Sequence, residues 1–444
     1  MNRRELLKNT ACGFGYLAMA GMAHGEEYRS PLMAKKPHFE PKAKRIIFLF
    51  MQGAPSQHET FDYNPELVEF AGKKADRAGS ILPPVYKFNP SGQSGLPISE
   101  VFPELARHAD DLCLLNGMHT DSPAHPQATV FLHTGNFTFV RPSMGAWMVY
   151  GLGTENQDLP GFVTLNPVPI GGASNYGSAF LPASYQGTSV AIAQGQAPIA
   201  NIKNADLKAA SQRKQIDLIQ DMNRDLLRRT QVDSELEGLI ESYELAFRMQ
   251  GSVPKVLDIR SETQATREAY GLGDRVTRDF GTQCLVARRL AEAGVRFIEL
   301  NMNGWDQHAQ LKSKIKSNAA AIDRPIAALL ADLKQRGLFE DTLVVWGGEF
   351  GRSTTGQGGG SDGRQHNNRG YTMWLAGGGV KGGMRYGSCD VNGSAVETKV
   401  HLHDLHATML HLMGLDHTRL TYRYAGRPFR LTDVHGNVVK DILA

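Results

Sequence analysis

Cysteine is scarce in this sequence, with four in 444 residues. Cys12 stands near the amino terminus, which leaves Cys113, Cys284 and Cys389 for the body of the chain. Three widely spaced thiols form no disulfide framework, and they lack the close pairing of a zinc–thiolate site. They read as buried free thiols, with one bridge left open among them. Strong charge is missing too: the net charge is +3, which gives nucleic acid no electrostatic footing. Beyond the amino terminus no apolar run is long enough to cross a bilayer. There is no internal repeat and no low-complexity tract.

The composition supports a large core. Hydrophobic residues make up 41% and charged residues 21%, values that argue against global disorder. The length suits two or three ordinary domains, or one large α/β domain with insertions. The first residues, MNRRELLKNTACGFGYLAMAGMAHG, place Arg3 and Arg4 before a modest apolar segment from Ala11 to Ala23. Paired arginines before a weak apolar segment look like a twin-arginine export signal over 1–25. Such a signal implies a periplasmic or secreted protein with no stable membrane span once it is removed. Residues 26–44 are basic and proline-bearing and read as a linker. Residues 45–444 read as the folded domain.

Along that domain, short apolar runs alternate with helical patterns. Strands are expected at Arg45 to Met51, Leu112 to Leu115, Phe162 to Pro169, Val295 to Leu300, Thr342 to Trp346 and Thr372 to Ala376. Helices are expected at Ile98 to Ala109, after Ala128, at Thr277 to Ala293, at Leu311 to Arg336 and at His403 to Met413. Between about 204 and 250, apolar residues from Leu207 to Phe247 recur at helical spacing, which predicts two amphipathic helices inserted beside the sheet, their apolar stripe turned to the core. The predicted class is α/β: a mostly parallel central sheet with helices on both faces, a helical insertion and a small strand-containing region at the carboxyl end.

Chemistry-bearing residues gather after four of the strands. Gln52, His58, Glu59 and Asp62 follow the first. His119, Ser122 and His125 follow the second. Asp306 and His308 lie two apart in a turn. Glu349 follows Gly347 and Gly348, and a glycine-rich loop then leads to His366. Parallel strands share one carboxyl edge, where α/β proteins bind ligands, so these groups can converge. Carboxylate and imidazole are ligands for hard and borderline cations. Each cluster also has an ordinary explanation: Ser56 and Ser122 can serve as helix caps, and His366 can sit on a surface loop.

The order of these motifs resembles the alkaline phosphatase and sulfatase superfamily. More closely, the chain resembles a secreted bacterial family called domain of unknown function 1501, often described as sulfatase-like. The pieces that carry this resemblance are the twin-arginine start, QGAPSQHETFD, HTDSPAHPQA, RPSMGAWMVYGLG, NGWDQH, GGEFGR, GRQHN, MWLAGGGVKGG, DLHATMLHLMGLDH and GRPFRLTDVHG. The resemblance implies that Asp306, His308 and His366 ligate a divalent metal, zinc or calcium, with Glu349 beside them, and His58, Asp62 or His125 can substitute for ligands the superfamily has and this chain lacks. It places Ser122 at the nucleophile position, with His125 or His119 helping in proton transfer. The chain departs from the superfamily in three places. Gln52 replaces a metal-binding Asp, Phe350 stands where a phosphatase has another His, and Pro123 and Pro126 break the pattern that formylglycine formation needs. The implied function is an exported metal-dependent hydrolase of sulfate or phosphate esters, with a sulfated or phosphorylated small molecule or polysaccharide as substrate. The competing readings are a non-catalytic protein of the same fold that holds an anionic sugar or polymer, and an envelope structural protein.

Overall fold

The computed structural model describes residues 30–75, 79–192, 199, 202, 206–230, 234–356 and 362–444. The export signal expected over 1–25 lies outside them. At the centre is β1, Arg45–Met51, whose seven residues RIIFLFM are all buried. A strand apolar on both faces needs cover on both faces, and that requirement sets the layered architecture. Eleven strands matter for the site: β1, β2 (Leu112–His119), β3 (Phe162–Leu165), β4 (Thr188–Val190), β5 (Phe297–Met302), β6 (Thr342–Gly347), β7 (Gly351–Gly356), β8 (Arg364–Asn367), β9 (Tyr371–Ala376), β10 (Met384–Tyr386) and β11 (Val400–His401).

Nine of them form one sheet in the order β10-β2-β9-β6-β1-β5-β3-β4, with β11 also paired to β2. β1 lies between β5 and β6, Ile46 facing Phe297 on one side and Leu343 on the other, parallel to both. β9 runs antiparallel to its neighbours β2 and β6, which leaves β2 parallel to β6. The chain is therefore α/β with a mostly parallel central sheet, as its alternating pattern predicts. β1, β2, β5 and β6 all end at the same edge.

Eight helices are used below: α1 (Gln57–Thr60), α2 (His125–Thr134), α3 (Met144–Leu152), α4 (Ala209–Thr230), α5 (Ser234–Leu257), α6 (Arg278–Glu292), α7 (Leu311–Gln335) and α8 (Leu402–Leu412). α7 shows why the pattern was readable: Leu311, Ile315, Ala319, Ile322, Ile326, Leu329 and Leu333 recur every three or four residues, and all are buried. α6 packs on it and on β5.

Three local expectations change. The helix expected over Ile98 to Ala109 is instead a short strand, Leu96–Ser99, and a 3-10 turn, Leu105–Asp111. Pro103 disfavours helical geometry in the residue before it, and the Asp323 carboxylate accepts the Glu104 and Leu105 N–H groups at 2.9 and 2.8 Å. In the helical pair, α5 packs on α6 and on the turn Ala183–Tyr185, burying Leu236, Ile240 and Leu245. Leu218, Met222 and Leu226 of α4 stay exposed, because α4 forms the outer layer. Part of the expected core stripe thus faces solvent. The third change is the glycine-rich segment, where β7 and β8 pair antiparallel, His366 opposite Arg352.

Cys113, Cys284 and Cys389 are buried and free. Residues 30–44 lie along the domain, with Lys35 bonded to the Leu152 carbonyl and Lys42 to that of Leu412. No helix among the described residues is long and apolar enough to cross a membrane.

Candidate metal centre

The turn after β1 and the turn after β5 touch at one point. Gly53 has φ +106°, and a Cβ there would lie 2.4 Å from the Asp306 nitrogen. Any other residue would therefore push the two turns apart. The Gly53 N–H donates to Glu349 Oε1 at 3.0 Å, and Glu349 is fully buried. Arg352, on β7, threads between these turns. Its Nε donates to the Ala54 carbonyl at 2.9 Å, and its Nη2 donates to the Gly53 carbonyl and, at 2.7 Å, to Asp306 Oδ1.

Three imidazoles close on the same Asp306 oxygen. His125, the first residue of α2, sets Nε2 at 3.3 Å from it. His308 Nε2 is at 3.0 Å and His366 Nε2 at 3.3 Å. The two latter nitrogens are 2.9 Å from each other. One ligand atom from each of His125, Asp306 and His366 falls within 4.8 Å of the others. Phe350 forms the apolar wall, its ring centroid 4.7 Å from that of His125 and 4.8 Å from that of His366.

The far sides of two rings are already committed. His125 Nδ1 is 2.5 Å from Glu349 Oε1, and His366 Nδ1 is 2.7 Å from the Pro123 carbonyl oxygen. Both oxygens can only accept, so Nδ1 carries the hydrogen and the neutral ring has its lone pair on Nε2. Two lone pairs then face a carboxylate oxygen, an arrangement that needs a positive charge in its midst. A proton serves at His125. Burial works to lower its pKa, but hydrogen bonds to Asp306 and Glu349 outweigh burial and raise it to about 9. Burial likewise works to raise the Asp306 carboxyl, while its close contacts with His125, His366 and Arg352 hold it well below the usual carboxylate range. A divalent cation would satisfy the same groups, so the residues present fit a metal.

The structure thus gathers Asp306, His308, His366, Glu349 and His125. Other candidates have different partners. His58 is buried, with Nε2 3.2 Å from the Arg352 carbonyl oxygen. Asp62 receives Arg385 Nη2 at 2.8 Å. His119 lies against His401, ring centroids 5.0 Å apart and the rings tilted. Ser122 Oγ accepts the Ala124 N–H at 3.2 Å, and the next residue, Pro123, is the one bonded to His366. Sequence reasoning missed Arg352. Its signal was the string GGEFGRS, an arginine three residues after a carboxylate in a segment that otherwise reads as loop. It also missed the ion pair beneath the ribbon, Arg364 Nη2 to Glu59 Oε1 at 2.8 Å, with both side chains fully enclosed.

No curated protein matches the chain by sequence. Solved structures that resemble it include three of low identity. A lipoteichoic acid synthase from Listeria monocytogenes matches at 9% identity and a TM-score of 0.39, over 90% of this chain and 78% of that one. A sulfatase from Pseudoalteromonas sp. matches at 12% and 0.34, over 86% and 68%. The alkaline phosphatase of the Antarctic bacterium TAB5 matches at 12% and 0.33, over 76% and 92%. The sequence comparison is more direct: residues 43–443 match the model of the family described as a protein of unknown function, DUF1501, and the chain belongs to that family.

Proposed function

We propose that this protein is an exported metal-dependent hydrolase of sulfate or phosphate esters. The observation that carries the reading is the convergence of the His125, His308 and His366 Nε2 atoms on one Asp306 oxygen. A set dominated by imidazole nitrogen suits a borderline cation of the zinc type, whereas calcium takes oxygen ligands. When bound, such a cation supplies Lewis-acid polarisation of an ester oxygen. The chain's own residues set the geometry. Glu349 and the Pro123 carbonyl fix the ring orientations of His125 and His366, the support that metal-binding imidazoles need. Arg352 donates its guanidinium hydrogens to four backbone carbonyls and Asp306, which positions the carboxylate. Ser122 is the candidate nucleophile, one residue before the carbonyl that holds His366. Paired Arg3 and Arg4 support export by the twin-arginine route.

A second reading rests on Phe350. Its ring closes one flank of the cluster against both His125 and His366, which limits the cluster on that side. A binding protein that uses its cation to hold an anionic group, without turnover, fits this flank as well.

One experiment separates the readings. Purified mature protein should contain about one zinc-type ion per chain by mass spectrometry, consistent with the cluster found among the described residues, and should cleave p-nitrophenyl sulfate or phosphate. Folded Ser122→Ala protein should keep its metal and lose turnover by orders of magnitude. Metal without turnover supports the binding protein, and absence of metal removes both.

A further inference from the structure

Beside the metal centre lies a cavity of about 890 Å³ lined by Tyr86, Val101, Lys312, Lys316, Asp323 and Asp362, among others. Two of its walls belong to the chain segments that carry the metal-centre residues. Gln310, which also lines the cavity, is two residues beyond His308, so their Cα atoms are within about 7 Å. Asp362 accepts the Leu311 N–H through its carbonyl at 3.1 Å. Gly363 packs so tightly on the His308 carbonyl that a Cβ there would come 1.9 Å from its oxygen. Segments 307–311 and 362–364 therefore pack on each other, and together they carry His308 of the metal centre and Gln310 and Asp362 of the cavity lining.

The lining carries three carboxylates, Glu100, Asp323 and the exposed Asp362, and three cations, Lys312, Lys316 and Arg324, and they differ in how far the protein uses them. Its buried carboxylate is spent: both Asp323 oxygens accept backbone N–H groups. Glu100 accepts the Lys87 N–H. Arg324 is also committed, its Nε donating to the Ala269 carbonyl at 3.1 Å. Lys312 and Lys316 are different. They are exposed, stand one turn apart on α7, and have no side-chain hydrogen bond or ion pair with any described residue. They share the lining with Tyr86, Val101 and Pro103. Two uncommitted ammonium groups beside apolar lining suit a sugar-like body that carries a second acidic group.

We propose that this cavity is a subsite for a polyanionic oligomer, in which Lys312 and Lys316 bind a sulfate or phosphate group on the residue next to the one whose ester sits at the metal centre. This rests on the hydrolase reading and narrows its substrate from a simple monoester to a chain bearing repeated acidic groups.

The test uses the full mature protein loaded with zinc, with short dextran sulfate as the polyanion and inorganic sulfate as the small anion, both measured by calorimetry at fixed salt. The Lys312→Ala/Lys316→Ala double variant should bind dextran sulfate at least about 10-fold more weakly, with inorganic sulfate affinity and zinc content unchanged. Lys208→Ala/Lys214→Ala, which removes the same charge from the region of α4, should bind it as the parent does. Equal weakening in both double variants, or no weakening in the first, overturns the subsite. His366→Ala, which removes a metal-centre residue, keeps the two proposals apart. If it loses zinc yet still binds dextran sulfate in a Lys312- and Lys316-dependent way, the subsite stands even where the hydrolase reading fails. If dextran sulfate does not bind the parent, the subsite is excluded.

Discussion

The β7–β8 ribbon carries the arginines of two polar clusters. In one, Arg364 meets Glu59, both fully enclosed. Arg364 also donates to the Leu82, Pro83 and Ser353 carbonyls, and Ser56 donates to Glu59. In the other, Arg352 meets Asp306, whose side chain is 44% exposed and which three imidazoles also approach. In the first cluster the hydrogen-bonding capacity is used up by the protein. In the second, lone pairs converge and solvent has access. The closed ion pair is complete within the chain, and the open carboxylate with its three imidazoles is the group on which the proposed cation rests.

The largest effect should come from breaking the closed side. Glu59→Gln leaves Arg364 buried without its counter-charge, and denaturant unfolding should show a loss of about 3–5 kcal/mol. A loss under about 1 kcal/mol would mean that the pair is not closed in solution and would erase the contrast. On the open side, Asp306→Asn also takes the counter-charge from the enclosed Arg352, but Asp306 is partly exposed, so stability should fall by less than in Glu59→Gln, while zinc binding weakens by about 100-fold, the upper range for losing a group that positions a metal's ligands. A competition titration with a chromophoric chelator reads this directly, and unchanged affinity would remove Asp306 from the site. A smaller effect sharpens the line between the two kinds of cluster. Asp323 lines the cavity, yet by partners it belongs to the closed kind. Burial raises its carboxyl from 3.8 to about 6, with the Glu104 and Leu105 N–H groups opposing. The folded state therefore holds a proton that the unfolded chain gives up between those values. The resulting stabilisation is present below about pH 4 and is lost as pH rises to about 6. Relative to Asp323→Asn, which does not titrate, the protein should lose about 1–2 kcal/mol across that window. A flat difference with pH would place Asp323 among the open groups.

Much of this plan was legible in the sequence. Strands such as RIIFLFM and TLVVWG announce themselves because burial on both faces leaves no room for polar residues. Asp306, His308, Glu349 and His366 were legible because polar groups crowded after those strands and parallel strands share an edge. His125 was visible as a helper to Ser122 and as one of three substitutes for missing ligands. Its place between Glu349 and Asp306 follows from the start of α2, which spacing does not define. The ribbon hid for another reason. Gly351–Gly356 carries Arg, Ser and Thr, so it lacks apolar alternation and reads as a loop. Glu59 and Arg364 are 305 positions apart, and nothing in either neighbourhood marks them as partners.

Asp306 as a hub has a consequence for chain entropy. The three thiols are free, so no disulfide cross-links the described residues. A cation seated among the imidazoles would be such a cross-link. It would tie His366 to Asp306 across 60 residues and, through His125 and Glu349, join segments 224 residues apart. Closing loops of that size removes several kcal/mol of freedom from an unfolded chain by the polymer estimate. The ion would thereby act as a staple as well as a reagent, and the fold would tighten with every increase in free metal above its dissociation constant.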